Sequence, residues 1–105
     1  MTNVRELLSE LNHGLRGLYG GRLRGTYLYG SYARGEQQQY SDVDVLILLD
    51  RVDSYGGEIL RTEALVSDVS LKYGASVSRV FFSERDWAAL DSPFLDAVRR
   101  EAVAA

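Results

Sequence analysis

The chain has 105 residues, 46% of them hydrophobic and 26% charged, which is the size and composition of one globular domain with a single modest core. Its net charge of −3 argues against nucleic-acid binding over the whole surface, and the lack of cysteine excludes disulfides, thiolate metal sites and cysteine nucleophiles. We expect a single cytoplasmic domain over residues 1–105 without a membrane partner, because the longest apolar run is far too short to cross a bilayer.

The first third of the chain predicts a helix followed by a strand. Apolar residues recur at helical spacing over residues 4–18, Asn3 is a suitable N-cap, and Gly20-Gly21 ends the pattern. Residues 23–29 are rich in β-forming side chains and run directly into Gly30-Ser31, so they are interpreted as a strand.

The middle of the chain predicts a buried strand that follows a polar loop. Residues 31–35 are interpreted as a short helical turn and residues 36–41 as a loop. Residues 43–49 are apolar on both faces after Asp44, which is typical of a central strand covered on both sides.

The second half predicts one more strand among three helices, with Ser83 and Ser92 as caps. In chain order these segments are a turn at 53–57, a helix at 58–72, a strand at 75–82, a short helix at 87–90 and a last helix that opens at Ser92-Pro93 with Phe94, Val98 and Ala102 on one face. The element order predicts an α/β fold, a small and mostly three-stranded sheet flanked by helices.

Two aspartates at the start of the central strand are the candidate chemical feature. Asp42 and Asp44 are two residues apart, so on extended backbone they point to the same face. Neighbouring carboxylates repel one another, and Mg²⁺ held by carboxylates and substrate phosphates is the common remedy. The Gly30-Ser31 turn offers backbone N–H groups and a hydroxyl for a phosphate, while Arg34 suits either a phosphate or a surface salt bridge. On spacing alone, the aspartates also fit a solvated strand end.

The remaining candidate residues have ordinary structural alternatives. Tyr32 and Tyr40 flank the motif, where packing is the simple interpretation and stacking on a nucleobase is the functional one. Trp87 with Phe94 is interpreted as core or as an oligomer contact. Residues 99–101, Arg-Arg-Glu, are interpreted as a solvated helix face.

Gly30-Ser31, Arg34 and Asp42-x-Asp44 together resemble the signature of the minimal nucleotidyltransferases, a branch of the DNA polymerase β-like superfamily. The resemblance covers residues 23–49 closely, and the other elements agree in order. It implies a nucleotidyltransferase fold and transfer of a nucleoside monophosphate, AMP from ATP in the first instance, to an acceptor hydroxyl. In that scheme Asp42 and Asp44 are the catalytic ligands of Mg²⁺, and Gly30, Ser31 and Arg34 bind the nucleotide.

The sequence departs from this family at one position. Active members carry a third carboxylate on the strand after the intervening helix, and the equivalent residue here is Ser78, with Ser76 as the alternative register. Members are often paired with a HEPN-domain protein as toxin and antitoxin, which implies that such a protein is the partner and acceptor. The alternative is an impaired antitoxin that neutralises its partner by complex formation alone. Which NTP is used, and whether the chain forms a homo-oligomer, stay open.

Overall fold

Helices cover both faces of a four-stranded mixed sheet in the computed structural model, which describes residues 3–105. This architecture confirms the predicted α/β fold. Among the described residues, no helix is long and apolar enough to cross a membrane. In chain order the elements are α1 (Val4–Tyr19), a 3₁₀ turn (Gly20–Arg22), β1 (Leu23–Tyr29), α2 (Gly30–Arg34), β2 (Val43–Leu49), α3 (Tyr55–Tyr73), β3 (Val77–Ser83), α4 (Glu84–Ala89), α5 (Pro93–Glu101) and β4 (Val103–Ala104).

The sheet has the strand order β3-β2-β1-β4, with β2 parallel to β3 and antiparallel to β1. The fourth strand was not predicted: Val103 and Ala104 pair antiparallel with Leu28 and Tyr27 at the outer edge of β1. A strand of two residues has no periodicity to detect in a sequence, and only the return of α5 to the sheet brings it to this edge.

The central strand β2 divides the core into two layers, as its apolar run predicted. Its odd-numbered residues, Val43 to Leu49, pack among residues of α1 and α3. Leu46 and Leu48 face the other way and pack against Leu95 and Val98 of α5. Burial on both faces explains why β2 lacks the alternation of a half-exposed strand.

One prediction about the helices was wrong in detail and another was incomplete. The segment predicted as a turn at 53–57 is already helical from Tyr55, because the Ser54 hydroxyl caps α3 by accepting a hydrogen bond from the Gly57 amide at 3.1 Å. In α5 the buried residues are Leu95 and Val98, whereas Phe94 is 43% exposed. Phe94 nevertheless packs against Tyr29 and Phe82, with ring centroids 5.6 and 6.2 Å apart, so the predicted face is observed and the prediction missed Leu95.

Candidate functional site

Gly30 is pressed against the carboxylate of Asp44. The last residue of β1, Tyr29, pairs with Asp44 across the sheet, so the chain enters α2 directly beside that side chain. Gly30 has a φ of +75°, and a Cβ at this position would lie 2.2 Å from Asp44 Oδ2. Both the backbone conformation and the close approach therefore require glycine.

The pair of aspartates carries uncompensated negative charge. Asp42 is exposed, while Asp44 is half-buried at the start of β2. Burial and the adjacent negative charge of Asp42 raise the pKa of Asp44, and Arg34 only partly opposes them. Within residues 3–105, no hydrogen bond or ion pair satisfies the Asp44 carboxylate. A bound cation would relieve this repulsion.

Mg²⁺ is the cation that the donor set fits. It takes oxygen ligands and is usually held by one or two carboxylates together with water and substrate phosphates. In the part of the chain that the structure describes, no group of three His, Cys, Asp or Glu residues is placed to hold a metal. Asp42 and Asp44 would therefore be the protein ligands, and a bound nucleotide would complete the coordination.

Ser78 of β3 lies beside Asp44, at the position where the sequence motif lacks a carboxylate. The parallel register pairs Asp44 with Ser78, so the first of the two predicted registers is observed and Ser76 precedes the strand. Glu84 lies beyond the opposite end of β3 from Ser78, where it forms a salt bridge with Arg24 at 3.5 Å. A serine hydroxyl at this position supplies no negative charge for a second metal ion.

The Gly30 amide and the Arg34 guanidinium converge on one anionic group. The Gly30 N–H donates to Glu101 Oε1 at 3.0 Å, and Arg34 Nη1 donates to Glu101 Oε2 at 2.9 Å. Both hydrogen bonds lower the pKa of Glu101, and the one from Arg34 has the larger effect. The two donors thus form an anion-binding pair directly next to Asp44.

Glu101 is the residue of this site that sequence analysis missed. Residues 99–101 were interpreted as a solvated helix face, which holds for the exposed Arg100 but is wrong for Glu101, and Arg99 lies over the Trp87 ring and donates to the Leu90 carbonyl at 3.0 Å. Its partner Arg34 lies 67 positions away in the sequence. A pattern of spacing cannot detect a contact of that separation, so no signal was available.

The other predicted candidates are placed as follows. Arg34 makes the salt bridges that were one of its two interpretations, to Glu101 and to Glu36 at 3.3 Å. Ser31 is half-buried in α2, and Tyr32 packs on the main core cluster, which favours its packing role. Tyr40 is 88% exposed. The Trp87 ring stacks on Tyr27 with centroids 5.6 Å apart, which confirms the core interpretation for Trp87.

Comparison with known proteins points to one family. The pattern of the family described as "Nucleotidyltransferase domain" matches residues 3–87. Two relatives are from Methanocaldococcus jannaschii: "Putative protein adenylyltransferase MJ0604" is 33% identical over 78% of this chain and 76% of its own length, and "Putative protein adenylyltransferase MJ0141" is 30% identical over 95% and 96%.

Solved structures agree on the fold. A toxin-antitoxin crystal structure with AMP-PNP superposes with a TM-score of 0.62 at 18% identity, covering 90% of this chain and 68% of that chain. A structure of the toxin-antitoxin MntA-HpeT mutant Y104A has a TM-score of 0.63 at 17% identity, over 100% of this chain and 72% of the other. Both contain a domain with the same arrangement of helices and strands as this chain.

Proposed function

This chain belongs to the nucleotidyltransferase domain family, and from that membership we propose that it transfers AMP from ATP to a hydroxyl group of a partner protein. The adenylyltransferase names of its relatives support a protein acceptor. The toxin-antitoxin context of the structural neighbours supports a role as an antitoxin. The motif resemblance adds a HEPN-domain toxin as the partner, and the lack of cysteine suits an action in the reducing cytoplasm.

The observation that carries this proposal is the convergence of opposite charges at the end of β1. Gly30 contacts the Asp44 carboxylate, and the Gly30 amide and Arg34 both face one anion next to it. A nucleoside triphosphate bound to Mg²⁺ presents this combination, a cation for the carboxylates and phosphate oxygens for the donors.

Each residue then has a defined task. Asp42 and Asp44 would hold Mg²⁺. The bound ion would neutralise the negative charge that develops on the pyrophosphate as it leaves. The Gly30 amide, the Ser31 hydroxyl and Arg34 would position the β- and γ-phosphates. The chain contributes positioning and fixed charge, which is most of what phosphoryl transfer requires.

A second candidate function is supported by Ser78. Ser78 places a hydroxyl opposite Asp44, where the family resemblance implies a carboxylate in active members, so the half of the site that activates the acceptor would be weakened. An antitoxin that keeps the nucleotide site but neutralises its partner by binding alone fits this substitution.

The test uses the full chain with the protein encoded by the neighbouring gene, Mg²⁺ and ATP labelled in its α-phosphate. We expect label on the partner, and its loss in Asp42→Asn and Asp44→Asn. Asp68→Asn, an exposed position on α3, is the matched control and is expected to keep activity. Partner binding without labelling, unchanged by the site variants, would support the second function. A chain that binds neither ATP nor the partner would contradict both.

A further inference from the structure

We propose that Glu101 forms an autoinhibitory contact in the nucleotide site: its carboxylate occupies the Gly30 amide and Arg34, and ATP·Mg²⁺ binds when the end of α5 moves away. The autoinhibitory contact is defined by these three residues. The inference rests on the proposed function, since it concerns the regulation of that same site.

Both carboxylate oxygens of Glu101 are committed to the donors that the phosphates need. Oε1 accepts from the Gly30 amide at 3.0 Å and Oε2 accepts from Arg34 at 2.9 Å. Charge-assisted hydrogen bonds of this kind are among the stronger ones in proteins, and phosphate oxygens use the same donors. A triphosphate and Glu101 therefore compete for these groups.

The charge of Glu101 also opposes an incoming nucleotide. Its carboxylate is close enough to add to the negative field at Asp44, to which Asp42 contributes more strongly. While Glu101 neutralises Arg34, the site presents a surplus of carboxylates to a polyanion. When Glu101 leaves, Arg34 keeps only its exposed salt bridge to Glu36 at 3.3 Å, so its guanidinium can turn to a phosphate and the local potential becomes more favourable for that group.

The segment that carries Glu101 can move while the buried anchors of α5 stay in place, although Ala102 gives up its packing at the edge of the core. Glu101 is the last residue of α5, and the buried anchors of that helix, Leu95 and Val98, lie before it. After Glu101 only the two residues of β4 pair with β1, and Ala105 donates to the Thr26 carbonyl at 2.8 Å. Few hydrogen bonds therefore hold this end, as is typical of segments that open locally.

The geometry favours competition with phosphate over a role as a third metal ligand. The Glu101 oxygens point to two hydrogen-bond donors, and the described residues contain no group of three acidic or imidazole side chains arranged around a common metal position. A role for Glu101 as the missing carboxylate is the competing outcome of the experiment below.

The experiment measures binding of a non-hydrolysable ATP analogue with Mg²⁺ by calorimetry. Glu101→Ala removes the autoinhibitory contact, and we expect affinity to rise about tenfold if the site is closed in most molecules. Glu101→Gln keeps the size and removes the charge, and it serves as the second variant should alanine disturb folding. Asp96→Asn is the matched control, because it removes one charge from the same helix at a residue paired with Arg99 at 3.2 Å.

The outcomes separate the alternatives. Tighter binding in both Glu101 variants, but not in Asp96→Asn, supports the autoinhibitory contact. Equal affinity in all proteins overturns it while leaving the proposed function in place. Unchanged or weaker binding, together with loss of AMP transfer in the labelling assay described above, also overturns it and favours Glu101 as the missing carboxylate. If neither the wild type nor any variant binds the analogue, the proposed function itself fails and the inference fails with it.

Discussion

Gly30 and Gly35 flank α2 with nearly the same backbone conformation but in different surroundings. Their φ angles are +75° and +71°, so a side chain strains the backbone at either position. At Gly30 a Cβ would meet Asp44 Oδ2 at 2.2 Å, whereas at Gly35 nothing lies within 4 Å. The two positions therefore separate backbone strain from the contact with the carboxylate.

We expect Gly35→Ala to lower the free energy of unfolding by about 1 kcal/mol, through backbone strain alone. Gly30→Ala adds a steric conflict and should cost about 2 to 4 kcal/mol in total. Because Asp44 has to move, Gly30→Ala should also lose the thermal stabilisation by ATP·Mg²⁺ that Gly35→Ala retains. Chemical denaturation and thermal melts measure both effects. Equal losses in the two variants would contradict a close approach of Gly30 to Asp44.

Replacing Asp44 should raise the stability of the metal-free protein and remove its binding of ATP·Mg²⁺. Burial and Asp42 raise its pKa above the ordinary 3.8, so the native state holds the proton more tightly than the unfolded state. Native stability therefore falls as the pH rises from 3.8 through the raised pKa, and at pH 7 the ionised Asp44 is a net cost. Asp44→Asn should raise the melting temperature of the metal-free protein by a few degrees while it abolishes stabilisation by ATP·Mg²⁺. A lower melting temperature without metal would show that Asp44 has a structural partner.

At the scale of elements, α5 connects the core to the candidate site. Leu95 and Val98 anchor it against Leu46 and Leu48 of β2, and its last residue, Glu101, reaches Gly30 and Arg34. The helix has 9 residues and begins at a Ser92 cap that accepts from the Leu95 amide at 3.1 Å. Since a helix this short is marginal alone, its position depends on the buried anchors.

We expect Leu95→Ala to destabilise the protein by about 2 to 4 kcal/mol, because it leaves a cavity at a residue that is 1% exposed. Leu60→Ala is the control: Leu60 is 77% exposed, and its truncation should change stability by less than about 0.5 kcal/mol. Urea denaturation compares the two. Similar losses would mean that α5 is not held by its buried face.

At the scale of the whole molecule, several carboxylates stabilise the fold only when they are ionised. Glu58 is buried, and although burial opposes its ionisation, the Tyr19 hydroxyl at 2.7 Å and Arg61 at 3.0 Å lower its pKa below the usual 4.5. Burial also opposes the ionisation of Asp50, but the hydrogen bonds and positive charges of Arg22 and Arg51 together lower its pKa below 3.8. These groups join the end of α1 and the 3₁₀ turn to α3 and to the end of β2.

A lowered pKa contributes stability that is present above the unfolded value and is lost as the pH falls through the folded value. We therefore expect the melting temperature to drop steeply below pH 4.5, with Asp44 opposing the trend in part. Glu58→Gln should flatten this acid loss, whereas the exposed Asp68→Asn should leave it unchanged. Melts recorded from pH 7 downward test this, and an identical acid profile in Glu58→Gln would exclude Glu58 as a contributor.

The sequence by itself determined the longer elements and the core motif, because the signals for both are local. The apolar run of β2, the serine caps of α4 and α5, and the spacing of Gly30-Ser31 from Asp42-x-Asp44 are each contained within a few neighbouring residues. The family resemblance left two registers open, Ser78 and Ser76, and the parallel pairing of β2 with β3 places Ser78 opposite Asp44.

Only the tertiary structure decided what meets the motif from elsewhere in the chain. The pairing of β4 with β1 and the contact of Glu101 with Gly30 and Arg34 join segments about seventy residues apart. Such contacts follow from how the apolar faces of whole elements pack on β2, and no residue spacing encodes them. The aspartate pair can therefore be recognised from the sequence. The contact of the Glu101 carboxylate with the Gly30 amide and Arg34 is visible only in the fold.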